Sequence, residues 1–199
     1  LSRKVMLSLL MAGTMSVCIS GGDVWAENTV KLTSDTVYNV IGEIPASIEM
    51  NGHNIISNVM LNADNAGLSI IGTDMENLTI NGEGLQFAVA AQSSSNAKVL
   101  ISNVKKVDIT GNVINDSLLH SNINGAIIFD KVGLFNITTE KSIGLHAQGG
   151  LIYIDAGAVS IKSKDENAIW AQLSNCSGDY PSDVKIKSSG DITLQSTSS

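Results

Sequence analysis

The sequence predicts an all-β protein built as a parallel β-helix, and three observations favour this class. Asn-Gly pairs recur along the chain, and these residues tolerate the positive φ angles of tight corners. Beyond the N-terminal segment, apolar residues follow a period of two rather than the 3.6 of a helix. Groups of three short strand-like segments recur in the same order at steps of 24 to 33 residues. Each group has the length that one coil of a solenoid needs.

The first 26 residues differ from the rest of the chain in composition. Arg3 and Lys4 form a basic head, and the apolar run from Val5 to Ile19 is too short to span a bilayer comfortably. The tripeptide Val24-Trp25-Ala26 then places small enough residues at the −3 and −1 positions of a signal peptidase site. We therefore expect a secretory signal peptide over residues 1–26 that is cleaved after Ala26.

The charge and cysteine content of residues 27–199 exclude several classes of function. Arg3 is the only arginine of the sequence, and the net charge is −7. An acidic surface without arginine repels phosphate, so nucleic acid is excluded as a partner and anionic lipid is disfavoured. Cys176 is the only cysteine after Ala26, so no intramolecular disulfide can form. Stability must then come from packing and backbone hydrogen bonds.

The recurring segments form three sets, which we call the first, second and third columns. In the second column a polar residue stands between two apolar ones, so a slip of one residue would bury the polar position. The apolar pairs of that column are Leu78 and Ile80, Val107 and Ile109, Phe135 and Ile137, Val159 and Ile161, and Ile192 and Leu194. The first column begins at Leu68, Val99, Ala126, Leu151 and Val184, and the third at Val89, Leu118, Leu145 and Ile169.

These columns divide the chain into three parts. Residues 1–26 are the signal peptide, and residues 27–66 form an N-terminal cap and the first coil. Residues 67–199 form about five coils of three strands each, with a loop inserted between Leu173 and Asp183. We expect the chain to be truncated in mid-coil after Leu194, which leaves an edge suited to self-association.

Three segments carry a resemblance to a known family: Ile48 to Ile55, Ser142 to Gly150 and Glu166 to Gln172. They resemble the adhesin-like passenger domains of bacterial autotransporters, most of all those of diderm anaerobes, and residues 27–199 would be the N-terminal fragment of such a passenger. The resemblance implies a pectin-lyase-like solenoid, adhesion as the function, and a location at the cell surface or outer membrane, or secretion. It also implies further coils and an outer-membrane β-barrel translocator, neither of which the sequence contains.

A non-catalytic adhesive rod is the function that we expect, and a secreted carbohydrate-active enzyme of the β-helix class is the alternative. A polysaccharide lyase resembling pectate lyase commonly uses an arginine base, which residues 27–199 lack. A glycoside hydrolase needs two carboxylates on one face, whereas the acidic residues lie singly in the predicted columns. An enzyme would therefore have its site beyond residue 199. The aspartates that lie singly in the predicted columns are Asp108, Asp130, Asp155, Asp165 and Asp191.

No cofactor and no metal site are expected, because the histidines fit no local ligand spacing. They are His53, His120 and His146, and the predicted third column places His120 beside Ala91 and Ala147.

One candidate binding face lies on the outside of the third column. If Leu145 and Ile169 point inward, His146 and Trp170 lie on adjacent coils within stacking reach. Gln148 and Gln172 flank these rings. An exposed ring beside amides suits a flat sugar or a partner protein, so we expect host or biofilm glycans or proteins as partners.

The predicted leader can be tested in a diderm bacterium that expresses the chain with its own N-terminus. We expect mass spectrometry of the exported protein to show Glu27 as its first residue, because the apolar run directs export and Ala26 precedes the cleavage site. Full-length protein in the cytoplasm would contradict export, and an uncleaved membrane-bound form would indicate an anchor.

Overall fold

The computed structural model describes residues 29–63, 67–92, 97–172 and 182–197, and these ranges contain strands but no helix. Strands of successive coils pair in parallel, so the chain is a β-solenoid of the parallel β-helix type and the predicted fold class is confirmed. Over the same ranges no helix is long and apolar enough to span a membrane. The predicted leader with Ala26, and residues 173–181 with Cys176, lie outside the described residues.

The strands are short in most coils and much longer in two of them. In chain order they are β1 (Thr29–Lys31), β2 (Thr36–Tyr38), β3 (Ser47–Glu49), β4 (Ile55–Ser57), β5 (Leu61–Asn62), β6 (Leu68–Ile71), β7 (Asn77–Asn81), β8 (Val89–Ala91), β9 (Lys98–Ser102), β10 (Lys106–Thr110), β11 (Ser117–Asn122), β12 (Ala126–Thr139), β13 (Ile143–Gln148), β14 (Leu151–Ser163), β15 (Ile169–Gln172), β16 (Asp183–Ser188) and β17 (Ile192–Ser196).

Two of the three columns share one twelve-stranded sheet, which we call the large sheet. The long strands β12 and β14 each run through the first and the second column, and this joins the two columns. The pairing of β12 with β14 shifts between Phe129 and Val132, and Lys131 has a φ of 53°, so the chain bends between the columns. The third column is a separate five-stranded sheet, in the order β5-β8-β11-β13-β15, which we call the third-column sheet.

The second column has the predicted register throughout. Ile80, Ile109 and Ile137 stack on one another and are fully buried, and Ile161 continues the stack. Leu194 occupies the next position in register but is 50 % exposed, since it lies in the last coil that the structure describes. The polar positions between the apolar ones line up on the outer face of the large sheet. They are Thr79, Asp108, Asn136, Ser160 and Thr193.

The predicted register of the first column is wrong by one residue in two coils. Ile127 pairs with Val99 and Ile152, so Ala126 and Leu151 are not the inward residues that start these coils. Both segments have apolar residues at consecutive positions, and alternation alone cannot decide which of them face inward. The apolar residues at the outward positions of these segments pack in a small second cluster, separate from the core. Its buried members are Ala126, Ile128 and Tyr153.

One buried carboxylate, that of Glu76, joins two corners of neighbouring coils. Its Oε1 accepts a hydrogen bond of 2.6 Å from the backbone N–H of Gly52, whose φ of 87° is that of a tight turn. The backbone N–H of Thr73 donates to Oε2 at 2.7 Å and its hydroxyl donates to Oε1 at 2.8 Å. Burial by itself raises the pKa of Glu76, but the hydrogen bonds from Thr73 and Gly52 together outweigh burial and lower it to about 2.

Truncation of the central isoleucine stack tests the register. Ile109 is fully buried between Ile80 and Ile137, so Ile109→Ala should lower the free energy of unfolding by roughly 2–5 kcal/mol, because the change leaves a cavity. Its outward neighbour Asp108 is partly exposed, and Asp108→Ala should cost about 1 kcal/mol or less. Urea unfolding measures both. Equal losses would show that the register is wrong.

Acid unfolding tests the role of Glu76. Its pKa in the folded chain is about 2 against an ordinary 4.5, so its stabilisation is complete above pH 4.5 and is lost as the pH falls toward 2. The shift corresponds to a stabilisation on the order of 3 kcal/mol. The stability difference between the wild type and Glu76→Gln should therefore be largest near neutral pH and shrink toward pH 2.

The exposed Glu49 offers a control, since Glu49→Gln also removes one negative charge. A difference between the wild type and Glu76→Gln that stays constant from pH 7 to pH 2 would contradict this account.

Candidate histidine and tryptophan site

The candidate site lies on the outer face of the third-column sheet, where three neighbouring strands each contribute a ring. His120 of β11 pairs with His146 of β13, and His146 pairs with Trp170 of β15. Leu119 and Leu145, which precede the histidines, belong to the core. Side chains alternate between the faces of a strand, so the three rings point away from the core.

The register of β11, which brings His120 to this site, differs from the predicted one. Leu119, not Leu118, pairs with Val89 and Leu145. His120 consequently lies beside Ala90 and His146 rather than beside Ala91 and Ala147, and the prediction was wrong by one residue. Both Leu118 and Leu119 are fully buried, so the sequence pattern does not reveal which of them aligns with the neighbouring coils.

Four rings from consecutive coils contact one another in a row, two of the three contacts being stacked and one edge-on. Phe87, just before β8, lies 4.5 Å from His120 with an interplanar angle of 25°. His120 meets His146 edge-on at 5.0 Å, and His146 stacks on Trp170 at 5.0 Å with an angle of 9°. Phe87, His120 and His146 are at most 6 % exposed, whereas Trp170 is 41 % exposed. The indole is thus the exposed end of a stack that holds its orientation.

Asp116 places a carboxylate beside both histidines. Its backbone carbonyl accepts a 2.7 Å hydrogen bond from the N–H of Ile143, which fixes it against β13. Its Oδ2 lies 2.9 Å from Nδ1 of His146, and its Oδ1 lies 3.9 Å from Nδ1 of His120. The hydroxyl of Ser117 donates to Oδ1 at 2.9 Å. The Asp116 side chain is 45 % exposed, so the cluster is open to solvent on this side.

His146 is buried without a well-formed hydrogen bond. Its side chain is 2 % exposed, and among the described residues neither Nδ1 nor Nε2 has a hydrogen-bond partner. The 2.9 Å distance to Asp116 is short enough for an ion pair, but its direction does not meet the geometry of a hydrogen bond. Buried polar atoms are nearly always paired, so this ring lies where a further charge or ligand would be favourable.

His120 is neutral at physiological pH. Burial and the neighbouring His146 lower its pKa to about 4, although Asp116 acts in the opposite direction. One of its ring nitrogens therefore carries a lone pair at neutral pH, and its Nδ1 lies 3.4 Å from the hydroxyl of Ser117.

The residues of the predicted binding face are adjacent in the structure, but their exposure differs from the prediction. His146 and Trp170 stack as expected, and Gln148 pairs in register with Gln172 two residues further along the same face. His146 is covered rather than exposed, so Trp170 alone presents a ring to solvent. Phe87 and Asp116 were not anticipated, although the i, i+4 spacing of Asp116 and His120 is a signal that could have been used. His53 lies elsewhere, beside Asp35.

A second group of charges lies on the large sheet. Asp130 and Asp155 occupy consecutive coils, so the expectation that the aspartates lie singly does not hold for this pair. Burial raises the pKa of Asp130, and Asp155 raises it further. Lys187 forms an ion pair with Asp155, at 2.6 Å from Nζ to Oδ2. The lysine offsets part of the repulsion between the carboxylates.

Comparison with models of protein families, with curated proteins and with solved structures yields no match to this chain. The resemblance to autotransporter passengers therefore stays a prediction.

Proposed function

We propose that the chain is the adhesive, non-catalytic part of an exported surface protein and that it binds its partner on the third-column sheet around Trp170. The observation that supports this most directly is the indole itself, 41 % exposed yet stacked on a buried histidine. A large apolar ring that is already held in place loses little conformational entropy on binding.

Neutral glycans are the partner class that fits this face. The axial C–H groups of a pyranose carry partial positive charge and pack against the negative face of an aromatic ring. Gln148 and Gln172, paired in register beside the rings, offer amide donors and acceptors for sugar hydroxyls. The net charge of −7 disfavours acidic polysaccharides, which leaves uncharged sugars as the best candidates.

Export and display at the cell surface complete the proposal. The expected signal peptide directs the chain out of the cytoplasm, and a solenoid gives a rod whose faces repeat at the spacing of paired strands, about 4.8 Å. By the resemblance described above, an outer-membrane β-barrel would act as translocator.

One observation favours the enzymatic alternative. Asp130 and Asp155 neighbour each other, and the pKa of Asp130 is raised, as glycoside hydrolysis requires of its acid. The ion pair of Asp155 with Lys187 favours a structural role instead. Hydrolysis of neutral glycans by the wild type, abolished by Asp130→Asn, would favour the enzyme.

Binding to an array of neutral glycans tests the adhesive proposal. Trp170→Ala should weaken binding at least about tenfold, and Trp170→Phe should retain part of it, because a smaller ring keeps part of the stacking area. Ile56→Ala removes an apolar side chain of similar exposure, 39 %, on the large sheet and serves as the control. Wild-type affinity in Trp170→Ala, or no binding of neutral glycans by the wild type, would contradict the proposal.

A further inference from the structure

We propose that Asp116, His120 and His146 form a binding site for one divalent transition-metal ion of the Zn²⁺ class. One ligand atom of each residue can be chosen so that all three lie within 4.8 Å of one another. The inference is independent of glycan binding, because it concerns the buried ring nitrogens rather than the exposed indole.

The distances are close to those of a coordinated ion. Ligand bonds of about 2.0–2.2 Å in a tetrahedral site separate neighbouring donor atoms by roughly 3.3 Å. Asp116 Oδ2 and His146 Nδ1 are 2.9 Å apart, and Asp116 Oδ1 and His120 Nδ1 are 3.9 Å apart. One donor atom from each of the three residues lies within 4.8 Å of the other two, so an ion between them would draw both imidazoles toward one carboxylate.

His146 supplies the second, independent observation. It is 98 % buried, and its Nδ1 faces the carboxylate without the direction of a hydrogen bond. A cation between Nδ1 and the carboxylate would give both atoms a partner at once. An ordinary core histidine would instead donate to a carbonyl or a hydroxyl group.

The surroundings hold the donors in place before any ion binds. His120 and His146 are directly paired residues of adjacent parallel strands, so the distance between their backbones is fixed. Phe87 covers one ring and Trp170 the other, and the hydroxyl of Ser117 orients the carboxylate of Asp116. Such support around the ligands strengthens metal binding.

The donor set determines the class of ion. Two imidazole nitrogens and one carboxylate oxygen suit Zn²⁺ and related transition ions, whereas Ca²⁺ and Mg²⁺ require mostly oxygen ligands. The partly exposed side of Asp116 leaves room for a water molecule as the fourth ligand.

Titration of the full chain with Zn²⁺ by isothermal calorimetry, after treatment with a chelator, tests the site. We expect one equivalent to bind at sub-millimolar concentration, with Ca²⁺ giving no heat at the same concentration. Asp116→Asn and His146→Ala should each weaken binding at least about tenfold. Asp116→Asn changes a partly exposed side chain, so it separates loss of a ligand from loss of folding.

The surface pair of His53 and Asp35 provides a matched control. Its atoms are 3.8 Å apart, and it contains the same residue types in an exposed setting. Asp35→Asn and His53→Ala should leave Zn²⁺ affinity unchanged. Equal affinity in Asp116→Asn and Asp35→Asn, or no binding by the wild type, would overturn the site and leave Asp116 and His146 as a structural contact only.

Discussion

Backbone hydrogen bonds between successive coils hold each column in register, and the rest of the structure depends on this ladder. A strand residue of an inner coil has paired neighbours about 4.8 Å above and below it, so its side chain must be compatible with its counterpart in the next coil. Isoleucine meets this condition in the lumen, where Ile80, Ile109 and Ile137 stack without exposure. Asparagine meets it outside, where Asn58 donates to Asn39 at 2.7 Å and Asn136 donates to Asp108 at 2.9 Å.

The same stacking is unfavourable for ionisable side chains, and the structure shows how this cost is offset. Asp130 and Asp155 meet on consecutive coils, and Lys187 pairs with one of them. Glu76 is buried alone, and backbone N–H groups of two coils solvate it. His120 and His146 meet edge-on, and burial keeps the first of them neutral. Each arrangement includes a contact between successive coils, so no local motif describes it completely.

The register was predicted correctly where apolar and polar residues alternate clearly along a column, and it was wrong where they do not. The second column was predicted correctly because a polar residue such as Asp108 stands between two apolar ones, and any slip would bury it. The segments Ala126–Phe129 and Leu118–Leu119 contain consecutive apolar residues, so the alternation of apolar and polar residues does not decide between two registers. The stacking of His146 on Trp170 was predictable because Leu145 and Ile169 mark the inward position of the preceding residue in both strands. Phe87 and Asp116 lie just before their strands, where the alternation does not reach; the i, i+4 spacing to His120 is a sequence signal for Asp116, whereas Phe87 is revealed only by its three-dimensional position.

His146 belongs to both proposed sites, and this has a thermodynamic consequence. Its ring face supports the indole of Trp170, while its Nδ1 faces the carboxylate of Asp116. An ion on Nδ1 would restrict rotation of the imidazole and would withdraw electron density from the ring that lies against the indole. Any effect of the ion on ligand affinity at Trp170 must be matched by an equal effect of that ligand on affinity for the ion. A single side chain, that of His146, would thus couple the surface ring to the buried donor.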